Sequence, residues 1–300
     1  EVACAGAGRR RRDVSAAASA GWAGASSASG KRGGRGRARG RPWLGKRGSR
    51  SEPDRASPRG AATGGARESC LRAQCFEIED RLKAELDIPI FHDDQHGTAV
   101  VVLAGLINAM KVVGKNLADT KIVIIGAGAA GTAITKLIHL YASPQIIAVD
   151  SKGVIGTYRN DLNDEKKLLL RYIDSSATGS LEDAVAGADI FIGVSRPGLL
   201  TKELVSTMND QAIIFALANP TPEIMPADAK EAGAAVVATG RSDFPNQVNN
   251  AVAFPGIFRG ALDNGVKQIT DLHKIAAAEV IASLLDSPSA DEIIPSVFDT

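Results

Sequence analysis

Five strand-length apolar runs recur between residues 121 and 239: KIVIIG, QIIAVD, DIFIGV, AIIFAL and AAVVAT, with helical patterns between them. Each run is apolar nearly throughout instead of alternating with polar residues. Strands read this way when helices cover both faces of a parallel sheet. The pattern therefore predicts an α/β fold, a Rossmann-like doubly wound parallel sheet. An apolar segment from Thr98 to Val113 precedes it, broken by Gly105, Asn108 and Lys111. It reads as a buried core helix and not as a membrane span. EIEDRLKAEL, from Glu77 to Leu86, reads as an amphipathic helix, and IPIFHDDQHGT after it as a short strand and turn. Thr201 is an expected helix N-cap, and a closing helix is expected from Asp271 to Leu285.

Residues 1–70 obey different physics. They contain no Ile, Phe, Met or Tyr and are built from Gly, Ala, Ser and Arg, as in RRRR and GKRGGRGRARGR. Sixteen basic residues against five acidic ones give this segment a net charge of +11, which leaves −10 on the rest of a chain whose total is +1. So little apolar surface cannot offset the entropy of ordering, and the segment is expected to be a disordered basic tail. Three origins fit it: an organellar transit peptide, an RGG-like tail for nucleic acid, or a misjoined gene model. The acidic remainder, without aromatic stacking motifs, argues against nucleic acid as the main partner. The two domains are thus set at 1–70 and 75–300. Cys4, Cys70 and Cys75 form no metal-ligand spacing and no even-numbered framework, so no disulfide and a cytoplasmic location are expected, or an organellar one if the tail is a transit peptide.

The most informative turn is Gly126-Ala127-Gly128-Ala129-Ala130-Gly131, which follows one predicted strand and opens a helix. In this context Gly126 permits the tight turn, Gly128 lets the backbone approach a pyrophosphate, and Gly131 allows the helix to lie close to the strand. The pyrophosphate is expected at the helix N-terminus. Asp150 ends the next strand, where a carboxylate meets the adenosine ribose. It favours a free 2′-hydroxyl and hence NAD, although Lys152 beside Ser151 would suit the 2′-phosphate of NADP.

The segment FHDDQHGTAVVVLAGLINAMK, taken with GAGAAG, VDSKG, FALANPTPEI and GRSDFPNQVNNAVAFPGIFRGALD, resembles the bacterial-type malic enzymes through most of residues 75–300. The resemblance implies oxidation of malate by NAD or NADP, decarboxylation, and release of pyruvate, assisted by Mg2+ or Mn2+. It places a metal ligand on Asp94 and an acid–base neighbour on Asp93. It makes Asn219 a nicotinamide or substrate contact and matches Asn249 and Asn250 to the pair that holds malate. Counting back from Cys75 to the family's Glu-Asp metal pair gives Glu68 and Ser69, so Glu68 is a candidate ligand and Ser69 a poor one. On residue chemistry alone, adjacent aspartates are also common in solvated turns, and Asn219 before Pro220 suits a turn. His92 and His96 have the spacing of a zinc pair but no third ligand nearby. Arg241 and Asp243 read as structural or interfacial.

The family's proton shuttle, a Tyr and a Lys, belongs to a separate N-terminal domain. The tyrosines here are Tyr141, Tyr158 and Tyr172, all within the cofactor region. The expectation is a chain with an intact cofactor half and impaired malate turnover, in a homo-oligomer that covers its exposed apolar surface. A non-catalytic dinucleotide-binding fragment and a basic-tail nucleic-acid binder are the alternatives. A dehydrogenase with a His–Asp pair in a substrate domain finds no matching motif around His92, His96, His139 or His273.

Overall fold

A computed structural model describes the backbone of residues 64–297 and the side chains from Cys75 onward. The first helix, α1 (Gly64–Glu85), begins well before Glu77. Apart from the start of this helix, the segment expected to be disordered, residues 1–70, lies outside the described residues. Among the described residues of α1, from Cys75 onward, the apolar ones are not the buried ones. Ile78 and Leu82 are exposed, whereas Glu79 is only 5% exposed. The short strand expected in IPIFHDDQHGT does not form. Pro89 has no N–H to give a ladder, and the chain instead enters a π-helical turn over Asp93–Gly97 that leads into α2 (Thr98–Val113). Helix α2 ends at Gly114, whose φ of 68° supplies the left-handed cap that glycine accommodates most easily.

The sheet contains β1 (Lys121–Ile125), β2 (Gln145–Asp150), β3 (Gly153–Val154), β4 (Ile190–Gly193), β5 (Ile213–Ala216) and β6 (Val236–Thr239), in the order β3-β2-β1-β4-β5-β6. The five predicted strands are all present and parallel, with Ile125 opposite Val149 and Gly193 opposite Ala216. The two-residue β3 adds an antiparallel edge beside β2, so the sheet is mixed. Helices between the strands are α3 (Ala129–Ala142), α4 (Asp164–Leu169), α5 (Leu181–Val185), α6 (Lys202–Val205) and α7 (Pro226–Glu231). Helices α8 (Phe254–Asp263) and α9 (Asp271–Ser283) follow.

Alternate residues of one strand serve two cores. Ile122 and Ile124 of β1 join a cluster with α2, α3 and α9, while Val123 and Ile125 join another with α5, α6 and α7. Both faces are apolar, which is why the strand runs do not alternate. Residues Val100 to Leu103 of α2 are fully buried in the first cluster, at roughly 1.5–3 kcal/mol per large aliphatic side chain. Caps end the polar accounts of the helices. Thr201 accepts from the Leu204 N–H, as its position predicts, and Thr270 forms a reciprocal box with His273 at the start of α9. The strand order reverses between β1 and β4, and the crevice at their carboxyl ends is where an open α/β sheet binds ligands.

Candidate active site

The β1–α3 turn shows why glycine stands at each of its three positions. Gly126 has φ +108°, and a Cβ there would lie 2.6 Å from the Val194 carbonyl oxygen. A Cβ on Gly131 would lie 1.8 Å from the Gly126 carbonyl oxygen. Gly128 differs, because a Cβ there meets nothing within 4 Å. Space beside that backbone is open to a ligand. No side chain caps α3, so the N–H groups following Ala127 and Gly128, from Ala129 onward, point outward unpaired by any cap. An open glycine backbone at an uncapped helix N-terminus fits the pyrophosphate of a dinucleotide.

Asp150 ends β2 with its carboxylate held by three donors. It accepts from Arg159 Nη1 at 2.8 Å, from Lys166 Nζ at 2.5 Å and from the Lys152 backbone N–H at 2.8 Å. Burial alone would raise its pKa, but the hydrogen bonds from Arg159 and Lys166 outweigh that and bring it below the usual carboxylate range. The Lys152 ammonium turns instead to Asp161, at 2.6 Å, and Arg159 grips Asp161 through two further nitrogens. Arg159 and Lys166, which sequence reading did not single out, are therefore the direct partners of Asp150.

A cavity of about 450 Å³ opens at the carboxyl ends of β4 and β5, and Asp94, Ser195, Asn219, Asn249 and Asn250 are among its lining residues. Four candidates from three distant segments of the sequence thus share one cavity, and Ala130 of the glycine turn reaches its edge. The π-helical turn sorts the two adjacent aspartates. Asp94 lines the cavity, while Asp93 folds back so that its Oδ2 accepts from the Asn250 side-chain amide. Its other carboxylate oxygen is buried without a partner among the described residues. Burial, then the neighbouring Asp94 charge, raise the Asp93 pKa. Gly97 makes this fold-back possible, since a Cβ there would sit 2.1 Å from Asp93 Oδ1. Asn249 caps the 3-10 turn Asn250–Val252 by accepting from the Ala251 N–H at 3.0 Å. Arg241 pairs with Asp243 and donates to the Pro220 carbonyl at 2.9 Å, bracing the turn that carries Asn219.

Beneath the π-turn lies a charged cluster. His96 Nε2 meets both oxygens of Glu79, at 2.9 and 3.1 Å, and its Nδ1 meets the Lys274 ammonium at 3.1 Å. Since an ammonium can only donate, Nδ1 accepts and Nε2 carries the proton. Burial pushes the His96 pKa down, which agrees with this neutral tautomer. Both ring nitrogens are occupied, so His96 is not free to join His92 on a metal. Among the described residues no group of three or more His, Cys, Asp or Glu could hold a metal ion. Asp94 is thus a single carboxylate facing the cavity, and the described residues do not by themselves fit a divalent cation. The side chain of Glu68 lies outside the described residues.

The three tyrosines are engaged elsewhere. Tyr158 donates to the Val154 carbonyl at 2.7 Å, Tyr172 lies edge-on to His139, and Tyr141 packs against the core cluster of α2 and α3.

Residues 95–299 match the family described as "Malic enzyme, NAD binding domain". The chain is 56% identical over 236 residues to the bifunctional malic/malolactic enzyme of Bacillus subtilis, covering 77% of this chain and 58% of that protein. It is 52% identical over 238 residues to the NAD-dependent malic enzyme of Geobacillus stearothermophilus, covering 78% and 49%. The crystal structure of a malic enzyme from Pyrococcus horikoshii superposes with a TM-score of 0.71 at 44% identity, covering 75% of this chain and 55% of that one. Both NAD- and NADP-dependent malic enzymes are among the relatives. The chain spans about half the length of the curated relatives it matches.

Proposed function

This chain belongs to the malic enzyme family, and we propose on that premise that it binds NAD across the ends of β1, β4 and β5 and holds malate in the adjoining cavity. The carrying observation is the convergence of Asp94, Asn219, Asn249 and Asn250 on one cavity beside the glycine turn. Bound there, the nicotinamide would accept hydride from the hydroxyl-bearing carbon of malate. Gly126, Gly128 and Gly131 shape the pyrophosphate seat, with Ala127 and Ala129 beside it, and Asp150 meets the ribose. Lys152, Arg159 and Lys166, the cations that meet Asp150 or Asp161 among the described residues, are each already paired with a carboxylate, which supports NAD over NADP. Asn249 and Asn250 orient carboxylate and hydroxyl groups without adding charge, and Asn219 meets the nicotinamide or substrate. Asp93, with its raised pKa and one unpaired oxygen, is suited to hold or pass a proton. Asp94 would serve a divalent cation only with ligands from beyond the described residues.

A second reading rests on the engaged tyrosines: these 300 residues bind the cofactor but turn malate over poorly alone. A missing acid–base pair costs a factor of about 10² to 10⁴. The exposed Ile78 and Leu82 support a further subunit against α1, and the reading includes a homo-oligomer. The test titrates purified full-length chain with NADH and NADPH, then follows pyruvate and reduced cofactor with malate and Mn2+. NADH binding with slow or no pyruvate formation is the expected result. Failure to bind either cofactor would sink the proposal, and rapid pyruvate formation would sink the second reading alone.

A further inference from the structure

Glu223 is wholly buried, yet among the described residues its carboxylate contacts no cationic side chain. Its two oxygens are divided between two loops. Oε1 accepts from the Ser195 N–H at 2.9 Å, just past β4, and Oε2 accepts from the Ala218 N–H at 3.0 Å, just past β5. Its backbone carbonyl also accepts from the Leu200 N–H at 3.2 Å. The site is built to admit it: a Cβ on Gly193, the last residue of β4, would lie 2.4 Å from Glu223 Cδ. A buried carboxylate is costly unless donors repay its lost hydration, and here the donors are the backbones of the two strand exits. Ser195 and Asn219 on those exits line the cavity.

We infer that Glu223 is a positioning residue that clamps the exits of β4 and β5 together, holding Ser195 and Asn219 at the separation the nicotinamide end of the cofactor requires. The role in cofactor binding rests on the function proposed above; the clamp itself does not. Glu223→Gln preserves shape but turns one acceptor into a donor facing an N–H, so one loop is released. Glu223→Asp keeps the charge and shortens the reach by one methylene, and it serves if the amide variant does not fold.

Amide hydrogen exchange at Ser195 and Ala218, read on the full chain, tests the clamp. Exchange should quicken at one or both in either variant. Affinity for NADH should fall about tenfold or more, while ADP-ribose, which lacks the nicotinamide, should bind as to the unsubstituted chain. Unchanged exchange at both amides, or equal loss of NADH and ADP-ribose binding, would overturn the inference. If the unsubstituted chain bound no NADH while the variants still freed these amides, the proposed function would fail and the clamp would stand.

Discussion

Asn250 donates its side-chain amide to a carboxylate oxygen of Asp93, joining residues 157 positions apart. The contact fastens the turn after β6 to the π-helical turn before α2, and both turns carry residues of the cavity. Asn250→Ala would leave that half-buried carboxylate with neither oxygen paired among the described residues. An unsatisfied buried acceptor costs about 1–3 kcal/mol, and denaturant unfolding should show a loss of that order. The same change removes a hydrogen bond that lowers the Asp93 pKa, so the carboxyl should titrate still higher. Unchanged stability would mean that Asp93 finds another donor.

The glycine turn makes a prediction by contrast. Gly131→Ala places a methyl 1.8 Å from the Gly126 carbonyl oxygen, so the turn must open and the protein should lose more than about 2 kcal/mol. Gly128→Ala meets no protein atom, so its unfolding midpoint should hold while NADH affinity falls. The two readouts, thermal unfolding and NADH titration, should therefore separate the variants. Equal effects of both substitutions on stability would contradict this assignment of their roles.

Much of this could be read from the chain. Continuous apolar runs gave away the parallel sheet because both faces of Ile122–Ile125 are buried, and GxGxxG spacing marked the β1–α3 turn because Gly126 and Gly131 leave no room for a Cβ. The helix expected from Glu77 forms within α1 and leaves Ile78 and Leu82 exposed, but periodicity could not show that Glu79 would go inward. The π-turn has no sequence signature distinct from that of a loop. Gly97, Arg159, Lys166 and Glu223 were passed over because their roles depend on contacts across strand ends. Arg159 and Lys166 follow Asp150 by 9 and 16 residues, so a search for cations trailing the β2 acid would have found them.

Asp150 offers a test of nucleotide choice. Its carboxylate is held between Arg159 and Lys166, both close enough to receive a phosphate were the carboxylate removed. Asp150→Ser should release that positive charge and remove the acceptor for a 2′-hydroxyl. The ratio of NADP to NAD affinity is expected to rise by roughly tenfold or more, about the effect of one charged hydrogen bond. Titration of the variant with both reduced cofactors reads the ratio directly. A ratio that stays constant would show that the ribose is recognised elsewhere.

The cluster beneath the π-turn should make the fold acid-sensitive in a defined window. Burial alone would raise the Glu79 pKa, but hydrogen bonds from His96 and Lys83 outweigh it and lower it from 4.5 to about 2. A carboxylate whose pKa is lower folded than unfolded contributes its full stability above the unfolded value. That contribution fades as pH falls from about 4.5 toward 2, where the folded form also takes up a proton. The shift corresponds to roughly 3 kcal/mol at most. Glu79→Gln cannot titrate, so it should be less stable than the parent at pH 7 by up to that amount, and the gap should close below pH 4.5. Urea unfolding of both proteins across that range measures the gap. A gap that persists unchanged to pH 3 would mean that Glu79 acts by shape and hydrogen bonding and not by charge, and the lowered pKa would have to be abandoned.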